Sequence, residues 1–128
     1  MKKIKLAIFE NEHVEVEGAF EYLNFKEHFN NRLDYKFFVS SQAFGDLQGL
    51  KDFDLVIVDI SLSANSELDG FSLIEKIEKE LDPIPNILIM TGQEIEEGYE
   101  KDYGINPHPF VEKPLNFKKL KIRLEHFL

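Results

Sequence analysis

A chain of 128 residues, 43% hydrophobic and 30% charged, has the length of one domain and an ordinary globular composition, so a single domain over residues 1–128 is expected. A formal charge of −9 excludes nucleic-acid binding by this chain alone, because a phosphate backbone demands a basic face. The absence of cysteine removes disulfide and thiolate chemistry and fits a reducing, cytoplasmic setting. Apolar runs such as Leu55 to Val58 fall far short of the ~18 residues of a membrane span. The opening stretch is interrupted by Lys5 and stopped by Glu10, too early for a signal-peptide core.

Along the chain, apolar runs alternate with helical stripes. Ile4 to Phe9 reads as a strand, and Val16, Ala19, Phe20 and Leu23 follow at helical spacing. Tyr35 to Val39 is a weaker, aromatic strand, and Gln42 to Leu47 fits a short helix. Leu55 to Ile60 is strongly β-branched; Phe71, Ile74, Ile77 and Leu81 form the next stripe, with Glu75, Lys76, Glu78 and Lys79 opposite. Asp82-Pro83 ends that helix, since proline disfavours helical geometry in the residue before it. Ile87 to Met90 and Phe110-Val111 read as two more strands, and Phe117, Leu120, Leu124 and Phe127 as a closing amphipathic helix. The segment 94–104, with Gly98 and Gly104 and few apolar positions, predicts only a short or loose helix.

Strands alternating with helices imply parallel pairing through right-handed crossovers. Unbroken apolar strands imply helices on both faces of the sheet. The expected fold is a doubly wound α/β domain with a five-stranded parallel sheet. In such sheets functional residues gather beyond the carboxyl ends of the strands. Glu10-Asn11-Glu12 stands at the end of the first strand, Asp59 at the third, Thr91-Gly92 at the fourth and Glu112-Lys113-Pro114 at the fifth. Two acids, a hydroxyl and an ammonium are what phosphoryl transfer to a carboxylate requires, provided a divalent cation such as Mg²⁺ neutralises the converging charge.

The arrangement resembles the CheY-like receiver domains of two-component response regulators. KIKLAIFENE, FDLVIVDISLS, DGFSLIEKI, NILIMTG and FVEKP occur in the family's order. The resemblance implies a flavodoxin-like three-layer α/β/α fold with strand order 2-1-3-4-5. It also implies a phosphoprotein that signals rather than catalyses, and that is capable at most of its own phosphorylation and dephosphorylation. Asp59 matches the phosphoacceptor, and Glu10 and Asn11 the acidic pair that binds Mg²⁺ together with Asp59 and the backbone of Ser61. Thr91 matches the switch hydroxyl, Phe110 the switch aromatic, and Lys113 the lysine that contacts the phosphoryl group. Gly92 matches the small residue that leaves room for that group. Ser61 and Gln93 fall at positions that tune phosphate lifetime, and Lys113-Pro114 at the family's cis peptide. The implied partners are a sensor histidine kinase or phosphotransfer protein and a downstream protein target, with a homodimer left open.

Two departures stand out. Asn11 replaces the acid that usually ligates the metal directly, so one negative charge is missing and weaker Mg²⁺ binding is expected. The stretch ISLSANSEL after Asp59 is longer than usual and lacks the customary proline. Each residue also has a plainer reading. Asp59 fits a solvent-exposed strand end, Glu10 and Asn11 a helix cap, Thr91 a β-branched strand residue, Phe110 core, and Lys113 a solvated charge. His13, His28, His108 and His126 lack metal-ligand spacing and read as surface residues. Lys118, Lys119, Lys121 and Arg123 read as the wet face of the last helix or as a docking face for an acidic partner. The competing function is a pseudo-receiver that binds partners without phosphorylation. A haloacid-dehalogenase-like phosphatase would want an acid where Ser61 stands, and a flavodoxin-type FMN carrier a hydroxyl-rich loop where Glu10-Asn11-Glu12 stands.

Overall fold

The computed structural model describes residues 2–25, 29–62 and 65–127. In chain order they form β1 (Ile4–Phe9), α1 (His13–Phe25), β2 (Leu33–Phe38), two 3-10 turns (Gln42–Phe44 and Leu47–Asp52), β3 (Leu55–Asp59), α2 (Gly70–Glu80), β4 (Ile87–Thr91), α3 (Tyr99–Tyr103), β5 (Phe110–Glu112) and α4 (Phe117–Phe127). The five strands are all parallel, in the order β2-β1-β3-β4-β5.

Period-2 alternation divides the buried side chains between two layers. Ile4, Leu6 and Ile8 of β1, Leu55 and Ile57 of β3, Leu88 and Met90 of β4 and Val111 of β5 face one way. Val16, Phe20 and Leu23 of α1 and Leu120 and Leu124 of α4 cover them. Ala7, Phe9, Val56, Val58, Ile87 and Ile89 face the other way, against Leu73, Ile74 and Ile77 of α2, the second 3-10 turn and Ile105. With both faces of β1, β3 and β4 covered, these strands read as uninterrupted apolar runs.

Three local departures from the sequence reading have physical causes. The short helix expected over Gln42–Leu47 is replaced by two 3-10 turns divided at Gly45, whose φ of 89° no regular helix accepts. Aromatic packing fills the space there, with Phe44 4.9 Å from Phe38 and 5.8 Å from Phe53 between ring centroids. Phe71, expected in the core stripe of α2, is only half-buried and stacks on Tyr103 of α3 at 3.9 Å. α3 itself has five residues between Gly98 and Gly104, both left-handed, which bears out the short helix expected there. Both Asp82-Pro83 and Lys113-Pro114 are cis; the sequence reading placed only the second.

Candidate functional site

The carboxyl edge of the sheet brings three charged side chains together for a simple reason. Glu10, Asp59 and Lys113 each continue the alternation that points Ile8, Ile57 and Val111 toward α1 and α4. Thr91 and Phe110 have the opposite parity, shared with Ile89 on the α2 side. The ladder holds the backbones in register: Glu10 N donates to Phe38 O at 3.0 Å, Ile60 N to Met90 O at 3.0 Å and Lys113 N to Thr91 O at 2.7 Å.

At the centre, the Lys113 ammonium donates to Asp59 Oδ2 at 2.7 Å and lies 2.5 Å from Glu10 Oε2. Asp59 Oδ1 accepts from the Ser61 amide at 2.8 Å, and Glu10 Oε1 from the Glu12 amide at 2.9 Å. Glu10, Asp59 and Thr91 are all buried, at 0%, 1% and 0% exposure. Asp59 is therefore not the solvent-exposed strand end of the plainer reading. Nor is Lys113 a solvated charge, because its side chain is 18% exposed and paired with two carboxylates.

The electrostatics are crowded. Burial is the main reason the Glu10 carboxyl is pushed up from 4.5 to about 7, and the Asp59 carboxylate beside it adds to the rise. Lys113 and the Glu12 amide pull the other way without offsetting it. Burial alone would lower Lys113, but Asp59 and Glu10 outweigh it and the ammonium is held above its ordinary value. Glu10 Oε2 lies close to the lysine nitrogen yet makes no well-oriented hydrogen bond, which leaves a buried carboxyl oxygen with unused acceptor capacity. We read the contact as charge pairing rather than an aligned bond.

The Glu10 and Asp59 carboxylates are oxygen donors of the kind Mg²⁺ takes, since this ion needs only one or two carboxylates and keeps several waters; Asn11, next to Glu10 in the chain, is half-buried. The residues present fit the ion. Among the described residues there is no group of three or more acidic, histidine or cysteine side chains that could hold a metal ion.

Thr91 stands apart from the charged cluster. Its hydroxyl donates to Gln93 O at 2.7 Å and accepts from Gln93 N at 3.0 Å, closing a small ring at the end of β4. A Cβ placed on Gly92, the next residue, would meet nothing within 4 Å. Phe110 is half-buried against the α2-side core.

A sequence model of the response regulator receiver domain matches residues 7–125 of this chain. The chain belongs to that family. Among solved structures, the non-phosphorylated HemR receiver domain from Leptospira biflexa is 24% identical, with a TM-score of 0.74 over 98% of this chain and 94% of that one. A response regulator receiver domain protein from Bacillus halodurans is 22% identical, with a TM-score of 0.74 over 99% of this chain and 98% of that one. The BeF3-activated DrrB receiver domain is 20% identical, with a TM-score of 0.70 over 98% of this chain and 97% of that one. No curated protein sequence matches the chain. As a receiver domain it is a signalling module of two-component response regulators. Among the described residues, no helix is long and apolar enough to cross a membrane.

The structure corrects one surface assignment and reveals a group of residues that sequence reasoning missed. His108 is 10% exposed and its Nε2 lies 2.5 Å from Glu78 Oε2, while its backbone N–H and C=O both engage the Tyr99 hydroxyl at 2.9 Å. His126 is exposed as expected; His28 and the side chain of His13 lie outside the described residues. The missed group is Ser41, Gln42 and Gly70, which bracket the loop after Asp59. The only sequence signal for it was the polar run Ser40-Ser41-Gln42 after the second strand, beside a loop of unusual length.

Proposed function

We propose that this receiver domain accepts a phosphoryl group on Asp59 from a sensor histidine kinase or phosphotransfer protein and uses it to switch protein–protein contacts. One observation carries this reading: a buried carboxylate at the carboxyl edge of the sheet, held by the Ser61 amide on one oxygen and the Lys113 ammonium on the other. In the transfer, the donor's phosphorus–nitrogen bond breaks and a phosphorus–oxygen bond to Asp59 forms, leaving the donor imidazole free. Lys113 pairs with the acceptor carboxylate and is placed to follow negative charge onto the phosphoryl oxygens. Mg²⁺, when bound, supplies charge neutralisation between the incoming group and the acidic residues; Asp59, Glu10, Asn11 and the Ser61 carbonyl would hold it.

Thr91 is the switch. Leaving its ring with Gln93 forfeits two neutral hydrogen bonds, and a charge-assisted bond to a phosphoryl oxygen, roughly twice as strong as a neutral one, offsets the loss. Phe110 would then move into the space Thr91 vacates. A change from mostly off to mostly on needs about 5.5 kcal/mol of differential contact. Because the Thr91 exchange by itself only breaks even, that energy has to come from the phosphoryl group's other contacts, Lys113 first among them. Gly92 leaves the room this movement needs, and Ser61 and Gln93 flank the group and set its lifetime.

Two observations favour a second reading, a pseudo-receiver that binds partners without phosphorylation: the amide at Asn11 and a Glu10 carboxyl that is half-protonated near neutral pH. The deciding experiment is intact mass after incubation with acetyl phosphate and Mg²⁺, with Asp59→Ala as control. The receiver reading expects one added phosphoryl group, lost in the variant and without Mg²⁺. No adduct, together with no spectral response to beryllofluoride, supports the pseudo-receiver instead.

A further inference from the structure

We propose that Ser41 and Gln42 are positioning residues for Asp59: they hold the approach to α2, and through Gly70 they fix the backbone that carries the acceptor. The role rests on the receiver reading, because that reading makes Asp59 the acceptor.

The two residues follow β2 at the carboxyl edge of the sheet and engage four consecutive residues of the lengthened loop. Gln42 Nε2 donates to Asn65 O at 2.7 Å, and its Oε1 accepts from Glu67 N at 2.9 Å and from the Ser41 hydroxyl at 3.1 Å. The backbone N–H of Ser41 donates to Ser66 Oγ at 2.8 Å, whose proton goes to Leu68 O at 2.6 Å. Ser41 Oγ accepts from Leu68 N at 3.0 Å. Ser41 is 6% exposed, so its own bonds form where water competes poorly and their loss leaves unsatisfied groups.

The clamp ends one residue before the α2 cap. Asp69 accepts from Ser72 N at 2.8 Å, and Gly70 comes next. A Cβ on Gly70 would lie 2.4 Å from both Asp59 O and Ile60 Cα; the first residue of α2 therefore rests directly on the peptide following the acceptor. On its other side Asp59 is held by the end of the β-ladder, through Ile60 N and Met90 O. The acceptor's backbone sits between the last bond of the sheet and the start of a helix whose approach Ser41 and Gln42 pin down. Misplacing a reacting group by about 1 Å can cost up to a hundredfold in rate, so a loosened clamp slows phosphoryl uptake without touching a reacting atom.

Gln42 is exposed, and Gln42→Ala removes both arms of its bridge without opening the core. We expect its rate of phosphoryl uptake at saturating acetyl phosphate and Mg²⁺ to fall by about fivefold or more, with the urea midpoint near that of wild type. Gln42→Glu keeps an acceptor for Glu67 N and loses the donor to Asn65 O, so its rate should fall between the two. Two-dimensional NMR supplies a readout independent of phosphorylation. The Ser61 and Gly70 amide resonances should shift in Gln42→Ala, although neither residue has a hydrogen bond to Gln42. Wild-type uptake, or unmoved Ser61 and Gly70 amides, overturns the proposal. A wild-type chain that takes up no phosphoryl group removes the receiver reading and this role with it; shifted amides would then establish a mechanical link only.

Discussion

Glu10 is buried as a carboxyl that ionises only near neutral pH, and this makes a quantitative prediction about stability. Its pKa is about 7 in the folded chain against 4.5 for the unperturbed group. Each pH unit of that difference is worth about 1.4 kcal/mol, so the ionised group opposes folding by on the order of 3 kcal/mol. Between the two values the folded chain holds a proton that the unfolded chain has released. Stability from this group is therefore greatest below pH 4.5 and declines as the pH rises to about 7. Lys113, held above its ordinary value, stays cationic throughout this window and adds no slope. Glu10→Gln leaves every other side chain in place, so the difference between variant and wild type isolates this group. Urea denaturation at pH 5, 6, 7 and 8, in buffer free of divalent cations, gives the measurement. The advantage of Glu10→Gln over wild type should grow with pH by on the order of 3 kcal/mol. A difference that stays constant across the series would refute the argument, and a difference that shrinks would reverse its sign.

Two further outcomes follow from packing and hydrogen bonding. Gly70→Ala ordinarily stabilises a helix interior by about 0.5–1 kcal/mol, but here the new methyl meets backbone at 2.4 Å. A net loss of about 1–3 kcal/mol is expected, read as a lower urea midpoint; a higher midpoint would show that α2 can retreat freely. Glu78→Ala leaves the Asn106 amide, which the carboxylate accepts at 3.0 and 3.1 Å, and the His108 ring without their acceptor. The cost should be about 1–3 kcal/mol, with faster hydrogen exchange at Asn106; unchanged exchange there would count against it.

How much of this was legible in the sequence depended on whether the cause was local. β1, β3 and β4 could be read because both faces are covered, which forces a run such as Leu55-Val56-Ile57-Val58 with no polar interruption. The two left-handed glycines that bound α3 could be read because they end a helix by themselves. Over Gln42–Leu47 the apolar spacing of Ala43, Phe44 and Leu47 suited a helix, but the rings of Phe9, Phe38 and Phe53 and the turn at Gly45 decided otherwise. His108 looked like a surface residue because its partner Glu78 lies 30 residues earlier. The clamp was illegible for the same reason, since its bonds join residues about 25 positions apart and leave no periodic trace.

The candidate site was legible through a stricter rule, which also says how a signal would have to travel. Glu10, Asp59 and Lys113 could be grouped because each stands at a strand end, and alternation gives all three the same parity. Thr91 stands at a strand end too but has the opposite parity, and its hydroxyl is engaged with the Gln93 backbone rather than with Asp59. The charged cluster and the side chains of Thr91 and Phe110 thus face opposite layers of one sheet. On the receiver reading the signal does not pass through the sheet, whose central strands are packed with apolar side chains on both faces. The route goes around the end of β4, where Thr91 must exchange Gln93 for the phosphoryl group. Gly92 leaves that corner open, and Phe110, with Thr91's parity, lies on the side where the exchange is felt. The separation of the charged cluster from Thr91 follows from the register, in which Asp59 stands opposite Met90 and Thr91 lies one residue further along β4.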